Sequence, residues 1–203
     1  TMKRIVLDMK KYNSLIILFM LLYLNSSFSQ SKNEKEERID ASEFPQMALH
    51  YFNEILDQVK YLKLYKETDG EKQSFEAKFK LNKLHYSVEF DTLGNLEDIE
   101  IIIKKKHIPK LAFKTMLNYF DTHFDKVRFI KIQKQYVNIL EQNDQQFINY
   151  VLDSPIGKNT HFEIIAEIKT QGERFLKEFT FKNTGAFEKS RPVSSSSYEH
   201  ALY

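Results

Sequence analysis

The phrase FDTLGNLE at Phe90–Glu97 returns ninety-one positions later as FKNTGAFE at Phe181–Glu188. Each copy places a glycine, Gly94 or Gly185, where a chain reversal between two β-like runs needs positive φ. A hairpin written twice constrains the fold only if its surroundings are also written twice, and they are.

FPQMALHYFNEIL begins at Phe44 and IPKLAFKTMLNYF at Ile108. In register, Pro45 meets Pro109, Ala48 meets Ala112, Phe52 meets Met116, Ile55 meets Tyr119 and Leu56 meets Phe120. Both sets follow the i, i+4, i+7, i+8 stripe of an amphipathic helix lying on a core. Each proline stands in a first turn, where its missing N–H has no intrahelical partner to lose. A β-like run follows each helix. Leu62 and Leu64 in VKYLKLY correspond to Ile130 and Ile132 in VRFIKIQ, on the predicted core side. Tyr61, Lys63 and Tyr65 correspond to Phe129, Lys131 and Gln133 on the other side.

SFEAKFKL and LHYSVEFD then alternate around Asn82–Lys83, a tight hairpin signal. Leu84, Tyr86, Val88 and Phe90 are expected inward, with His85, Ser87, Glu89 and Asp91 facing out. FEIIAEIK, QGE and RFLKEFTF are the later counterparts. The spacing thus predicts an α+β chain of two tandem repeats, 43–104 and 108–193, each a helix on a four-stranded antiparallel meander. The second copy carries an insertion over about 134–160. There Asn143 or Asp144 can cap a short helix with a Phe147, Ile148, Val151, Leu152 stripe; a strand is the rival reading. Residues 30–42 read as a polar lead-in and 194–203 as a flexible tail.

The N-terminus has the grammar of a secretory signal peptide over 1–29: a basic stretch, the apolar run SLIILFMLLYL from Ser14 to Leu24, then small residues at Ser27 and Ser29. Cleavage is expected between Ser29 and Gln30, with Met2 or Met9 as the start. The apolar run is shorter than the roughly 20 residues needed to cross a bilayer, so a periplasmic or secreted product without a membrane anchor is expected. Removing Lys3, Arg4, Lys10, Lys11 and Asp8 takes the formal charge from +2 to −1. That balance argues against a general nucleic-acid binder. With no cysteine in the chain, disulfides, thiol nucleophiles and thiolate metal sites are excluded. The core must be apolar packing, for which 17 Phe and 11 Tyr supply bulk.

Motifs that carry chemistry are sparse. The five glycines sit in predicted turns and make no phosphate cradle, and no G-x-S-x-G holds a serine. His50 and Glu54 are four apart on the first helix, which suits a shared ion or an ordinary surface pair. His123 stands at a helix end, where a charged imidazole suits the dipole. Glu97–Glu100 reads as a solvated strand edge. The expectation is therefore no catalytic residue, no metal ligand, no cofactor and no enzyme activity. Tyr61, Lys63, Tyr65, Phe129 and Lys131 are the candidate binding residues, because aromatics beside cations on a free sheet face have the composition of recognition surfaces. Their alternative is a second core beneath the insertion or the other repeat.

The proline-started helices, the YSVEFDTLGNLE hairpin and the duplication resemble the PepSY-like periplasmic proteins. The fold of that family is similar to that of the β-lactamase inhibitor protein, with two helix-plus-sheet repeats in tandem. The resemblance implies an exported, non-enzymatic domain, often of unknown role. The leading functional expectation is a periplasmic binding or interaction module that binds or inhibits another envelope protein. The inhibitor's target-contacting residues have no matching motif in this chain, and the 134–160 segment departs from the short repeat. The alternatives are a small-molecule carrier using the cleft between repeats and insertion, and a small hydrolase with no recognisable motif.

Overall fold

The computed structural model describes residues 31–194, apart from 54, 56, 140–142 and 155–158. The expected signal segment and the tail beyond 194 lie outside the described residues. Nine strands form one sheet in sequence order, each antiparallel to the next. They are β1 (Glu34–Ile39), β2 (Lys60–Asp69), β3 (Lys72–Leu81), β4 (Leu84–Phe90), β5 (Leu96–Ile102), β6 (Lys126–Val137), β7 (His161–Thr170), β8 (Glu173–Lys182) and β9 (Phe187–Pro192). Three α-helices accompany them: α1 (Gln46–His50), α2 (Lys110–His123) and α3 (Asp144–Asp153). Tight turns hold the order. Asn82 and Lys83 have φ of 49° and 68°, and Gln171 and Gly172 have 50° and 87°, the paired positive φ of a two-residue hairpin matched to strand twist.

Alternation along the strands puts the apolar residues on one face, and the helices cover that face. Over β2–β5 the core gathers Ala77, Phe79, Val88, Phe90, Ile99 and Ile101 beneath Ala48 and Phe52. Over β6–β8 it gathers Ile132, Phe162, Ile164, Phe179 and Phe181 beneath Ala112, Met116 and Phe120. Each glycine turn docks on the first turns of its helix. A Cβ on Gly94 (φ 87°) would stand 3.1 Å from Pro45 Cβ, and one on Gly185 (φ 86°) would stand within 3 Å of the Ala112 backbone. Only a residue without a Cβ fits both that conformation and that approach.

Three sequence expectations change, and a fourth is extended. The first helix is five residues long and then tightens into i→i−3 turns, with Tyr51, Phe52 and Asn53 donating to Ala48, Leu49 and His50. His50, Tyr51, Phe52 and Asn53 are four successive weak helix formers, yet Phe52 still reaches the core. The lead-in is not free of structure, because Glu34–Ile39 pairs along β2 as β1. Its alternation of half-buried and exposed residues was masked by the scarcity of apolar side chains. Glu97–Glu100 is no solvated edge: β5 lies between β4 and β6. Finally, α3 forms at the spacing that predicts it, with Asn143 Oδ1 accepting from Gln146 N at 3.3 Å, but it serves the first core. Ile148, Val151 and Leu152 pack there, Asp144 Oδ2 accepts from Leu96 N at 3.0 Å, and Gln145 Nε2 donates to Tyr51 O at 3.3 Å.

The sheet curls until its ends touch. Lys32 and Val193 form a parallel bridge, with Lys32 N donating to Pro192 O at 2.8 Å and Ser194 N to Lys32 O at 3.0 Å. An odd number of strands, each antiparallel to the last, leaves the first and ninth pointing the same way, so this closing contact has to be parallel.

Candidate functional site

Curling encloses the face that carries no helix. On it lies a cavity of about 300 Å³ lined by ten carboxylates and six cationic side chains. Successive strands supply the acids at inward positions: Glu36 from β1, Glu67 from β2, Glu76 from β3, Glu89 from β4, Asp98 and Glu100 from β5. Taking that many charges from water is costly unless they are paired, and the pairing divides the chamber into zones.

At the seam, Glu178 meets Lys32 at 2.6 Å and Arg191 at 2.7 Å, while Arg191 also reaches Asp69 at 2.5 Å and Glu34 at 3.3 Å. Burial alone would raise the Glu178 carboxyl; the two cations outweigh it and hold it at about 2. Along β3 and β4, Lys78 bridges Glu36 (2.7 Å) and Glu76 (3.0 Å) and lies 5.2 Å from the Tyr65 ring centre. Lys72 bridges Glu89 (3.0 Å) and Glu97 (2.7 Å). In the β5–β6 wall, Asp98 accepts from Gln135 Nε2 at 2.8 Å and Glu100 accepts from Gln133. Burial and then the Asp98 carboxylate push Glu100 up to about 8, and burial lifts Asp98 and Glu163 well above the carboxylate range.

Glu67 stands apart. It is 8% exposed and makes no hydrogen bond or ion pair with the described residues. Burial, followed by the carboxylates of Glu34, Glu76 and Glu89, drives it up to about 9. Its carboxylate oxygen lies within 4.8 Å of those of Glu36 and Glu76. The chamber thus carries more acids than cations, and its own cations neutralise some of those acids and leave others uncompensated.

The candidate binding residues named from the sequence do not share one face. Tyr65 and Lys131 lie on the chamber side, Tyr65 opposite Arg38 and Glu76 and Lys131 opposite Ile165. Lys63 is on that side too, opposite Lys78, but exposed. Tyr61 is 76% exposed and has φ of 58°. Phe129 turns to the helix face, its ring 5.1 Å from Phe120 and 6.3 Å from Phe113. The cause is a register shift in each strand, between Lys60 and Lys63 and between Phe129 and Lys131. A bulge adds one residue and breaks the period of two on which the face assignment rested. Of the histidine candidates, His50 Nδ1 lies 3.1 Å from Asn53 Nδ2, and Glu54 lies outside the described residues. His123 stacks on Tyr119 at 4.3 Å.

The chamber carboxylates were visible as residues but not as a site. The available signal was a carboxylate at the polar position of one strand after another. Alternation cannot say whether a polar face meets solvent or its own far side.

No family model matches the chain, and no curated protein matches its sequence. Among solved structures, a DUF2874 family protein from Bacteroides uniformis is 9% identical, covering 73% of this chain and 89% of its own, with a TM-score of 0.49. A DUF2874 family protein from Bacteroides ovatus is 8% identical over 73% and 86%, with a TM-score of 0.49. A BLIP-like protein from Bacteroides fragilis is 11% identical over 72% and 84%, with a TM-score of 0.46.

Proposed function

We propose that this chain is an exported, non-catalytic binding module and that its ligand is a small cation held in the acidic chamber. The observation that carries the reading is the excess of ten carboxylates over six cationic side chains around a space of about 300 Å³ inside the sheet. Low-dielectric walls on which one sign of charge outnumbers the other focus the field and concentrate counter-ions. The chamber, rather than a cleft between the halves and the insertion, is then the carrier site. The signal-like segment at 1–29 supports a periplasmic or secreted location, and no helix among the described residues is long and apolar enough to cross a membrane. The same acidic lining disfavours a nucleic-acid partner. The recurring phrases, together with two helices that each meet a glycine turn at Ala48 or Ala112, support a tandem duplication of the PepSY-like kind.

Native mass spectrometry of the protein purified from the cell envelope, followed by calorimetric titration with a linear diammonium ion and its neutral diol analogue, tests the reading. Binding of the dication that weakens with salt is expected, with no heat from the diol. Equal binding of both, or of neither dication nor metal ion, overturns it.

A second reading, recognition of another envelope protein, has one observation in its favour. Tyr61 stands about three-quarters exposed on a bulge, where a large aromatic is free to anchor a partner.

A further inference from the structure

We propose that the β1–β2–β3 wall of the chamber is a divalent-cation site, with the carboxylates of Glu36, Glu67 and Glu76 as its protein ligands and calcium as the ion it fits. The inference deepens the chamber reading and rests on it.

Register brings the three together. Glu36 on β1 is directly opposite Glu67 on β2, and Glu67 is opposite Ser74 on β3, two residues before Glu76. Like charges directly opposite in a sheet repel, and here three converge on one enclosed spot. Lys78 compensates two of them, Glu36 and Glu76. Glu67, more than nine-tenths buried and close to the other two, makes no hydrogen bond or salt bridge with a described residue, and the attraction of Lys32 offsets its burial only in part. A buried carboxylate left in that state is the position a bound cation completes.

The geometry favours one class of ion. Calcium takes oxygen ligands at about 2.3–2.6 Å in a flexible shell of six to eight, so two oxygens on one ion stand at most about 5 Å apart. The three carboxylate oxygens lie within 4.8 Å of one another and meet that limit as they stand. Magnesium demands a tighter octahedron, retains several waters and is served by one or two carboxylates. Lys78 need not leave the chamber when the ion enters, because its ammonium already rests 5.2 Å from the Tyr65 ring centre.

The test uses the purified protein stripped with a chelator. Terbium luminescence sensitised by the nearby Tyr65 should rise on titration and be displaced by calcium well before magnesium, and calcium should raise the thermal midpoint. Glu67→Gln should weaken calcium binding by about tenfold or more, since affinity follows ligand charge count. Glu163→Gln, across the chamber, should leave binding within about twofold because it removes no ligand. Glu36→Gln reads the same site from β1 if Glu67→Gln fails to fold. Absence of calcium binding by the wild-type protein overturns the ion assignment, and continued binding of the diammonium ion then leaves the chamber reading standing alone. Calcium binding unchanged in both Glu67→Gln and Glu36→Gln overturns the location.

Discussion

The two helix-covered regions of the sheet meet the same packing requirement with different material. Over β6–β8, the 14-residue α2 lays Ala112, Met116 and Phe120 on the sheet unaided. Over β2–β5, α1 manages five residues and a run of tight turns, and α3 from the insertion supplies Ile148, Val151 and Leu152 to the same cluster. The lesson is that α3 is a structural complement to the short helix. A helix too weak to cover its sheet is tolerated where a distant segment covers the remainder.

Attacking the first core from both sides tests this most severely. Phe52 contacts Phe79 and Phe90 edge-on at 5.7 and 5.9 Å, and Phe52→Ala should cost about 3–5 kcal/mol. Ile148→Ala, in the insertion, should cost about 2–5 kcal/mol, matching Met116→Ala in α2. Denaturant midpoints read all three. If Ile148→Ala costs no more than a surface change while Met116→Ala costs its full share, the insertion is decoration and the comparison fails.

The glycine turns sharpen the difference. Both have positive φ and both meet a helix start, but the obstacle differs. A Cβ on Gly185 runs into the Ala112 carbonyl and backbone, which cannot rotate away, whereas on Gly94 it presses Pro45 Cβ at 3.1 Å. Left-handed strain costs about 1–2 kcal/mol at either position, and overpacking adds roughly 1–3 kcal/mol at Gly185. Gly185→Ala should therefore lower the thermal midpoint clearly more than Gly94→Ala. Equal shifts would mean the two helix starts are held with the same freedom.

These turns also show how much of the fold the sequence discloses. Helix stripes, hairpins, glycine positions and the capped insertion follow from local period and turn chemistry, which involve residues a few places apart. The closure does not. It depends on Lys32 meeting Val193 across nearly the whole chain, and nothing local at either position encodes it. The candidate site depends on that closure, so Glu67 and Glu100 read as ordinary surface acids until the ends meet. The bulges near Tyr61 and Phe129 misdirect the face assignment for the same reason, because an inserted residue is defined by its partner strand.

The seam offers a milder test of whether the two regions behave as one body. Glu178 of β8, held at about 2 by Lys32 and Arg191, has a folded pKa below its ordinary value near 4.5. The stability it contributes is therefore present above about pH 4.5 and lost as the pH falls toward 2. Arg191 ties the same carboxylate to Glu34 and Asp69 of the first region. Thermal midpoints measured from pH 6 to pH 2 should fall more steeply for the wild-type protein than for Glu178→Gln, which has no proton to take up there. Parallel curves would show that the seam contributes nothing and that the regions close independently.

The smallest expected effect concerns the aromatic residues that the strand pattern grouped together. Tyr61 projects into solvent at 76% exposure, so Tyr61→Ser should change stability by no more than about 0.5 kcal/mol. Phe129 is different. Its ring packs against Phe113 and Phe120 and sits under the Lys105 ammonium at 4.8 Å. Phe129→Ser removes that packing from the second core and should destabilise by about 1–3 kcal/mol, below the cost of a fully buried phenylalanine. The contrast makes the pair informative about function. A protein partner anchored by Tyr61 would be lost from affinity co-purification in Tyr61→Ser while the melting curve stayed in place, since interface energy concentrates in a few exposed aromatics. Phe129→Ser would lose a partner only in step with its loss of fold. A partner retained by Tyr61→Ser removes the bulge from consideration and leaves the chamber face, with Tyr65 and Lys131, as the remaining place where those residues meet a ligand.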